Sequence, residues 1–361
     1  MKIADMDALL CAGAPVTEKR PLRLFRRAGE PLLLLPLDPF LARQGLSLYP
    51  AQSTKARLAR ALAELCLRFA RWPVGGSVNV EVSASAPLPA FLAKLHGGTL
   101  PPLAALLGNP RAPGRRIVFL TFDNAGCPRF VAKAGASVEA IVRLAAEAEI
   151  LGQLPATVSG FPKLHGQLHE ESVAALAFEF VPGRTPRRKD DAQMPSLLEA
   201  WISMDGPVAC GTLPAWQRLM QAPKLDPAAH QTLAVLASRK VCSAIHHGDF
   251  APWNVKIDGD RWIALDWERG ELAGPPTWDW LHYVIQRAVL VDRSTPTKIA
   301  RELEALFASP AFALYTERAQ CAGLEWTLAA AYLWHACEVV GQSEGLDSVR
   351  ALAQIITLTR L

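Results

Sequence analysis

One predicted hairpin constrains the fold of this chain more than any other feature of its sequence. Residues 255–257 and 261–265 are largely apolar, and the Asp-Gly pair at residues 258 and 259 is typical of a tight turn between two strands. Asn254 enters the first strand and Asp266 leaves the second. Because a hairpin brings its two open ends together, these two side chains are expected to lie close to each other.

A second carboxylate is expected at the same end of the hairpin. Asp249 lies five residues before Asn254, in a loop where Pro252 prevents a continuous helix. Amide and carboxylate oxygens suit Mg²⁺, which takes one or two protein ligands and fills its other positions with water and phosphate oxygens. An aspartate beside such a site can accept a proton from an incoming hydroxyl group, as in protein kinases.

The complete pattern is His-Gly-Asp at residues 247–249, then Asn254, the hairpin, and Asp-Trp-Glu at residues 266–268. It resembles the motif of the aminoglycoside phosphotransferase and choline kinase family, in which His-Gly-Asp replaces the His-Arg-Asp of protein kinases. The resemblance implies an α+β, bilobal, protein-kinase-like fold, in which a small antiparallel-sheet lobe precedes a larger, mainly helical lobe. An extra α/β region would lie at the amino terminus.

The resemblance also implies roles for these residues in an ATP- and Mg²⁺-dependent transfer of the γ-phosphoryl group to a small-molecule hydroxyl. Asp249 would be the catalytic residue that accepts or orients the hydroxyl proton, and Asn254 and Asp266 would bind Mg²⁺. Three residues would support the site: His247 through packing and bonds to the loop backbone, Glu268 from behind the site or against the substrate, and Asp279 through hydrogen bonds that brace the loop.

Upstream residues are similar to the nucleotide-binding part of the same family. Predicted strands cover residues 103–107, 116–123 and 130–133, and Lys133 on the third matches the family lysine that contacts the α- and β-phosphates. The loop at residues 108–114 lacks the Gly-x-Gly-x-x-Gly pattern of protein kinases. Any backbone amides that face phosphate would come from this loop.

We predict a helix over residues 138–154. It has an apolar stripe and carries a candidate partner for Lys133. Glu147 stands fourteen residues after Lys133 and matches the family glutamate that pairs with it. Two alternatives stay open. Arg143 and Glu147 are four residues apart and could form an ordinary surface pair, and Glu149 could take the functional role instead.

Two further predicted strands, at residues 161–169 and 172–180, lead into a segment that resembles the family hinge between the lobes. The adenine would bond to backbone groups near Glu179 and Val181. The region that follows, residues 184–245, is helical in such enzymes.

The chain is long enough for two or three compact parts, and half of its 361 residues are apolar. We predict an amino-terminal extension of unknown role at residues 1–98, a nucleotide-binding small lobe at residues 99–181, and a catalytic and substrate-binding large lobe at residues 182–361. The extension should have its own core and a helix from Thr54 to about residue 71. Four apolar residues fall along one face of that helix: Leu58, Leu62, Leu65 and Phe69.

Composition limits the partners and the location. The charged fraction is 20% and the net charge is only +4, which argues against disorder and gives little support for nucleic-acid binding. The basic excess lies in residues 1–100, where an anionic partner or an ordinary solvated surface would explain it. Scattered cysteines without Cys-x-x-Cys spacing, no signal peptide and no membrane-spanning apolar run predict a cytoplasmic protein.

Two questions stay open from the sequence. The acceptor could be an aminoglycoside, which would need an acidic cleft, an amino alcohol held by an aromatic cage, or a sugar. The chain could instead be a catalytically silent, pseudokinase-like scaffold that binds nucleotide and acts through its amino-terminal region. The presence of Lys133, Asp249, Asn254 and Asp266 together favours an active enzyme. Oligomeric state and the choice between ATP and GTP are not readable from the sequence.

Overall fold

The computed structural model describes residues 4–49, 54–69, 76–108, 114–341 and 345–360. The helices are α1 Ala4–Leu10, α2 Pro39–Gly45, α3 Thr54–Arg68, α4 Pro87–Leu95, α5 Val138–Gln153, α6 Met194–Ala200, α7 Pro214–Met220, α8 Pro227–Leu236, α9 Trp278–Gln286, α10 Pro296–Phe307, α11 Pro310–Arg318, α12 Glu325–His335 and α13 Leu346–Arg360. The strands are β1 Glu18–Arg27, β2 Glu30–Pro36, β3 Gly76–Val82, β4 Leu103–Leu106, β5 Ile117–Phe122, β6 Pro128–Gly135, β7 Leu164–His169, β8 Ala174–Glu179, β9 Ile202–Ala209, β10 Lys240–His246, β11 Val255–Asp258, β12 Arg261–Ala264 and β13 Glu271–Gly274.

These elements form two compact units. The first unit comprises Met1–Leu151 and Pro162–Val181, and the second comprises Gly152–Phe161 and Pro182–Leu361. The first is built on an antiparallel sheet and the second is mainly helical, so the predicted α+β class is confirmed.

One antiparallel sheet organises the first unit. Counting only the described residues, it has eight strands in the order β3-β1-β2-β4-β5-β6-β8-β7. Strands β1 to β3 come from the predicted amino-terminal extension, and β2 pairs with β4 at Leu33↔Leu106 and Leu34↔Ala105. The sheet therefore continues across residue 98, where the sequence suggested a boundary.

Both faces of this sheet are covered by helices from the amino-terminal region. Leu34 packs into a core formed with α1 and α4, whereas Leu33 and Leu35 pack into another core that includes residues of α2 and α3. This division follows from the strand geometry, because successive side chains point to opposite faces. Further along the sheet, α5 packs through Leu144 against β8.

The predicted apolar stripe on α3 is not the face that packs against the sheet. Leu67 is only 3% exposed and belongs to the sheet-facing core, in which Ala63 is a partly buried neighbour. The four residues of the stripe are strongly exposed: Leu58 by 62%, Leu62 by 53%, Leu65 by 51% and Phe69 by 65%. Spacing alone identified an apolar face but not its packing partner.

The first residues of several helices are specified by their neighbours in the sequence. Several begin where a capping side chain precedes a proline, which has no N–H to satisfy and suits the first helical turn. Four side chains cap helices in this way: Asp38 before Pro39, Asp226 before Pro227, Thr295 before Pro296 and Ser309 before Pro310.

The second unit contains more strand than the resemblance implied. Residues 184–245 were expected to be helical, but β9 and most of β10 lie within them and pair antiparallel, for example at Val241↔Val208. Strand β10 is buried along almost its whole length and also pairs with β13 on its other edge. Such a central strand is stabilised by partners far away in sequence, which an assignment made by resemblance does not reveal. β10 leads directly into the His-Gly-Asp motif.

Candidate functional site

The predicted hairpin is confirmed. β11 and β12 pair from Val255↔Ala264 to Asp258↔Arg261, and Gly259 starts the two-residue turn with a positive φ of 63°. Just outside the paired strands, the N–H of Leu265 donates to the carbonyl of Asn254 at 2.6 Å. Asp266 follows Leu265 immediately, so the hairpin brings the backbone of Asn254 and Asp266 to the same end.

Asp249 is bonded to the amide of Asn254. The Nδ2 group of Asn254 donates to the Asp249 carbonyl and to its Oδ2 atom, both at 2.9 Å. This orientation leaves Oδ1 as the Asn254 atom that is chemically suited to a cation. The side chain of Asp249 is 28% exposed, so it is partly accessible to solvent.

His282 is a site residue that the sequence reasoning missed. It lies on α9, is buried, and its Nε2 atom is 3.1 Å from Oδ1 of Asp249. An ionised carboxylate can only accept, so Nε2 carries the donated proton. The Nδ1 atom of His282 lies 3.0 Å from the hydroxyl of Tyr332 on α12. The available signal was its position three residues after Asp279, which places both on one face of the helix.

The environment of Asp249 keeps its carboxyl group ionised. Burial alone would raise its pKa, but the hydrogen bond and electrostatic attraction from His282, together with the charge of Arg269, hold the pKa below the ordinary value. Asp249 is therefore an anion at neutral pH, which is the state in which a carboxylate can accept a proton.

His247 ties the loop to the hairpin. Its ring is fully buried, its Nε2 atom donates to the Leu265 carbonyl at 2.8 Å, and its Nδ1 atom accepts from the N–H of Asp249 at 3.1 Å. One ring nitrogen donates and the other accepts, so the imidazole is neutral. Burial lowers the pKa of His247, which also favours the neutral form. The ring also packs against Trp267, with centroids 4.5 Å apart.

Asp279, at the start of α9, braces the same loop. Its carboxylate accepts from the N–H of His247 at 2.7 Å and from the N–H of Gly248 at 3.2 Å. Gly248 has a φ of +75°, and a Cβ atom there would lie 2.6 Å from the carbonyl oxygen of Arg269. The middle residue of His-Gly-Asp must therefore be glycine for both conformational and steric reasons.

Asp266 has an unusual backbone conformation. Its φ is +74°, in the left-handed region, which costs free energy for residues other than glycine but which aspartate tolerates better than most. Strain of this kind concentrates at functional sites. Trp267 is buried and donates to the Ala264 carbonyl at 2.9 Å, anchoring the segment, and Glu268 follows in a partly buried position.

A carboxylate and an amide oxygen at one hairpin end fit Mg²⁺ better than a transition metal. Among the described residues, no group of three or more His, Cys, Asp and Glu side chains is arranged to hold a metal ion. Mg²⁺ does not need such a group, because water and phosphate oxygens complete its octahedron. Asn254 and Asp266 are therefore a chemically suitable pair.

In the first unit, Lys133 and Glu147 form an ion pair. The Lys133 Nζ atom on β6 is 2.5 Å from Oε1 of Glu147 on α5, and their side chains are 13% and 0% exposed. Lys133 also lies over the ring of Phe178, 5.4 Å from its centroid. Of the two glutamates considered from the sequence, Glu147 is thus the buried partner of the lysine, whereas Glu149 is exposed.

Glu179 and Val181 lie where β8 ends. The N–H of Glu179 donates to the Lys163 carbonyl, and the N–H of Phe180 donates to the Arg129 carbonyl, each at 2.9 Å. Val181 follows these sheet bonds and is partly buried. The predicted phosphate-facing loop lies largely outside the described residues, which stop at Gly108 and resume at Gly114.

Within the ranges that the structure describes, none of the helices combines the length and the apolar character needed to cross a bilayer.

The sequence matches no protein-family model, and no curated protein sequence matches it. Solved structures do match. One is the aminoglycoside phosphotransferase APH(4)-Ia, at 15% identity and a TM-score of 0.47 over 76% of this chain and 99% of that one. Another is the streptomycin-ATP-APH(2″)-IIa ternary complex, at 13% identity and a TM-score of 0.43 over 68% of this chain and 91% of that one.

Proposed function

We propose that this protein is an ATP- and Mg²⁺-dependent phosphotransferase that moves the γ-phosphoryl group to a hydroxyl of a small molecule. The observation that carries the proposal is the Asp249 carboxylate. It is ionised, accessible, and held between Asn254 and His282 at the end of the hairpin from which Asp266 emerges. Acceptor deprotonation beside a pair of hard-oxygen ligands is the chemistry that this arrangement supports.

Asp249 would orient the acceptor hydroxyl and take its proton. Each carboxylate oxygen has two acceptor positions, and one on each oxygen is used by a protein donor. A further position can accept from a substrate hydroxyl. Asn254 and Asp266 would hold Mg²⁺, which supplies charge neutralisation to the phosphates when bound. His247 and Asp279 would keep the loop in this conformation, and Glu268 would support the site or touch the substrate.

In the first unit, Lys133 would steady the α- and β-phosphates. Its pairing with buried Glu147 holds the ammonium group in one position, which lowers the entropic cost of binding phosphate. Backbone groups of Glu179 and Val181 would bond to the adenine.

Two aspartates of the second unit form ion pairs with arginines. These pairs bear on which class of acceptor the protein favours. Arg287 donates to both carboxylate oxygens of Asp191 at 2.5 and 2.9 Å, and Tyr283, next to His282, donates to the same group at 3.1 Å. Arg184 holds Asp190 with two bonds, at 2.5 and 2.8 Å. A polycationic aminoglycoside would have to displace these arginines to use the carboxylates. We therefore favour an acceptor with fewer positive charges, a sugar or an amino alcohol, over an aminoglycoside.

The test is acceptor-dependent ADP release from Mg²⁺-ATP by the purified protein, with sugars, amino alcohols and aminoglycosides offered separately. Asp249→Ala should keep nucleotide binding but lose turnover by roughly 10²- to 10⁴-fold, because it removes the proton acceptor. Asp260→Ala, which removes an exposed carboxylate at the hairpin turn, is the matched control and should remain active. Asp266→Ala should instead weaken binding of Mg²⁺-ATP.

Unchanged turnover in Asp249→Ala would remove Asp249 from the proposed role. Tight binding of Mg²⁺-ATP without ADP release on any acceptor class would support the alternative of a pseudokinase-like scaffold. Preferential turnover of aminoglycosides would contradict the preference for a sugar or an amino alcohol while leaving the phosphotransferase proposal intact.

A further inference from the structure

Helix α3 has two apolar faces, and only one of them has a partner within the described chain. Leu67 and Ala63 pack into the core on the sheet. The apolar stripe, consisting of Leu58, Leu62, Leu65 and Phe69, is more than half exposed at every position. At 3.6 residues per turn the four residues fall within an arc of roughly 60°, with Leu67 on the opposite side of the helix. The larger of the two apolar faces therefore points away from the core.

Exposed large apolar residues are common singly but not as an aligned set. Four of them on successive turns form a continuous surface, which in soluble proteins marks a site of interaction. The N–H of Phe69 still bonds to the carbonyl of Leu65 at 3.3 Å, so Phe69 continues the stripe beyond the last helical residue. The stripe therefore spans the helix from its second turn to its end.

Positive charge borders the stripe. Lys55 lies along one edge, and Arg57 and Arg68 lie along the other; all three are exposed. Arg60 is partly exposed and pairs with Glu64 at 2.8 Å, and Glu64 is the one acidic residue in the helix sequence. An apolar stripe with basic residues on both flanks is the pattern by which helices lie in the interface of an anionic membrane.

We infer that α3 docks on an anionic phospholipid surface, with its apolar stripe inserted at the headgroup boundary and its basic flanks against the lipid phosphates. A second copy of the chain fits less well. Two stripes packed together would bring the basic borders of both helices into proximity, and like charges repel. An anionic surface instead complements both the stripe and its borders. The inference does not depend on the proposed phosphotransferase activity.

The test is flotation of the full-length protein with vesicles of phosphatidylcholine alone or of equimolar phosphatidylcholine and phosphatidylglycerol. We expect binding to the anionic vesicles, weakened at least about tenfold on neutral vesicles or at high salt. The triple variant Leu58→Gln, Leu62→Gln, Leu65→Gln should lose binding but keep its thermal unfolding temperature, since these side chains are already exposed. Lys55→Glu, Arg57→Glu, Arg68→Glu should also lose binding.

The matched control replaces exposed apolar residues on helices of the second unit: Val235→Gln, Leu314→Gln and Leu358→Gln. This control should float as the wild type does. Retained binding in the α3 glutamine variant, or no binding of the wild type to anionic vesicles, would overturn the inference. A wild-type dimer that becomes monomeric in the α3 glutamine variant, measured by sedimentation without vesicles, would assign the stripe to a second copy instead.

Discussion

At the scale of single residues, the candidate site depends on where one carboxylate points. Asp249 receives a hydrogen bond on each oxygen, from His282 on one side and from Asn254 on the other. His282 is itself oriented by the hydroxyl of Tyr332, so a chain of three side chains runs from the buried interior to the accessible carboxylate. Such a chain fixes the rotamer of Asp249 before any substrate arrives, which is the positional precision that proton transfer requires.

We predict that His282→Ala lowers kcat and moves the acidic limb of the pH–rate profile to higher pH. The bond from His282 lowers the pKa of Asp249. Losing it raises that pKa, so the carboxylate becomes protonated at a higher pH as the solution is acidified. His282→Gln, which keeps an N–H donor, should recover part of the rate. His230→Ala, at an exposed histidine, is the control. An unchanged profile in His282→Ala would exclude this positioning role.

At the scale of secondary-structure elements, the pair of Lys133 and Glu147 connects β6 to α5. Glu147 is completely buried, so its charge is stabilised by the lysine and not by water. The same contact sets the position of the helix against the sheet, where Leu144 packs on β8. A change at Glu147 should therefore affect both the stability of the first unit and the position of the lysine.

We expect Glu147→Ala to lower the free energy of unfolding by about 3 kcal/mol, because it leaves a largely buried lysine without this partner. It should also raise the KM for ATP under the proposed function. Glu149→Ala removes an exposed carboxylate of the same helix and should cost less than about 0.5 kcal/mol. Urea denaturation of the two variants gives the comparison. Equal stability of the two variants would mean that the pair contributes nothing.

At the scale of the whole molecule, acid stability should be governed by buried histidines of the second unit. His246 and His335 both pack against Trp278, with ring centroids 5.8 and 4.9 Å from its ring. Burial lowers the pKa of His246 to about 4 and that of His335 to about 3. Both are neutral in the folded protein at pH 5, whereas an unfolded chain protonates its histidines below about pH 6.5.

The unfolded state therefore binds more protons than the folded state between about pH 4 and pH 6.5, and the stability should fall as the pH is lowered through this range. From pH 7 to pH 5 we predict a loss of about 1 to 2 kcal/mol for each of the two histidines. Urea denaturation at the two pH values measures this loss. His335→Phe should make the dependence shallower and His230→Phe should not. A wild-type stability that is equal at pH 5 and pH 7 would contradict the prediction.

Features encoded by neighbouring residues were predictable from the sequence. Gly259 and the apolar segments around it specify the hairpin, and the hairpin alone brings Asn254 and Asp266 to one end. The pairing of Lys133 with Glu147 was anticipated because the resemblance supplied the order of strand and helix. The chemical roles of these residues, and those of Glu179 and Val181, remain proposals. The basis of the hairpin prediction is local, since turn geometry and hydrophobic spacing act over a few residues, whereas the Lys133–Glu147 pairing was anticipated only through the resemblance.

Local sequence is thus sufficient to predict the hairpin and the meeting of its two open ends, and the resemblance of the motifs implied the α+β class. The tertiary structure alone decided that His282 bonds to Asp249, that β10 lies between β9 and β13, that the amino-terminal strands extend the same sheet, and which face of α3 is exposed. These features depend on contacts between residues that are distant in the chain. A spacing pattern shows that a helix has an apolar face, but the partner of that face is set by which surfaces the completed fold has left available.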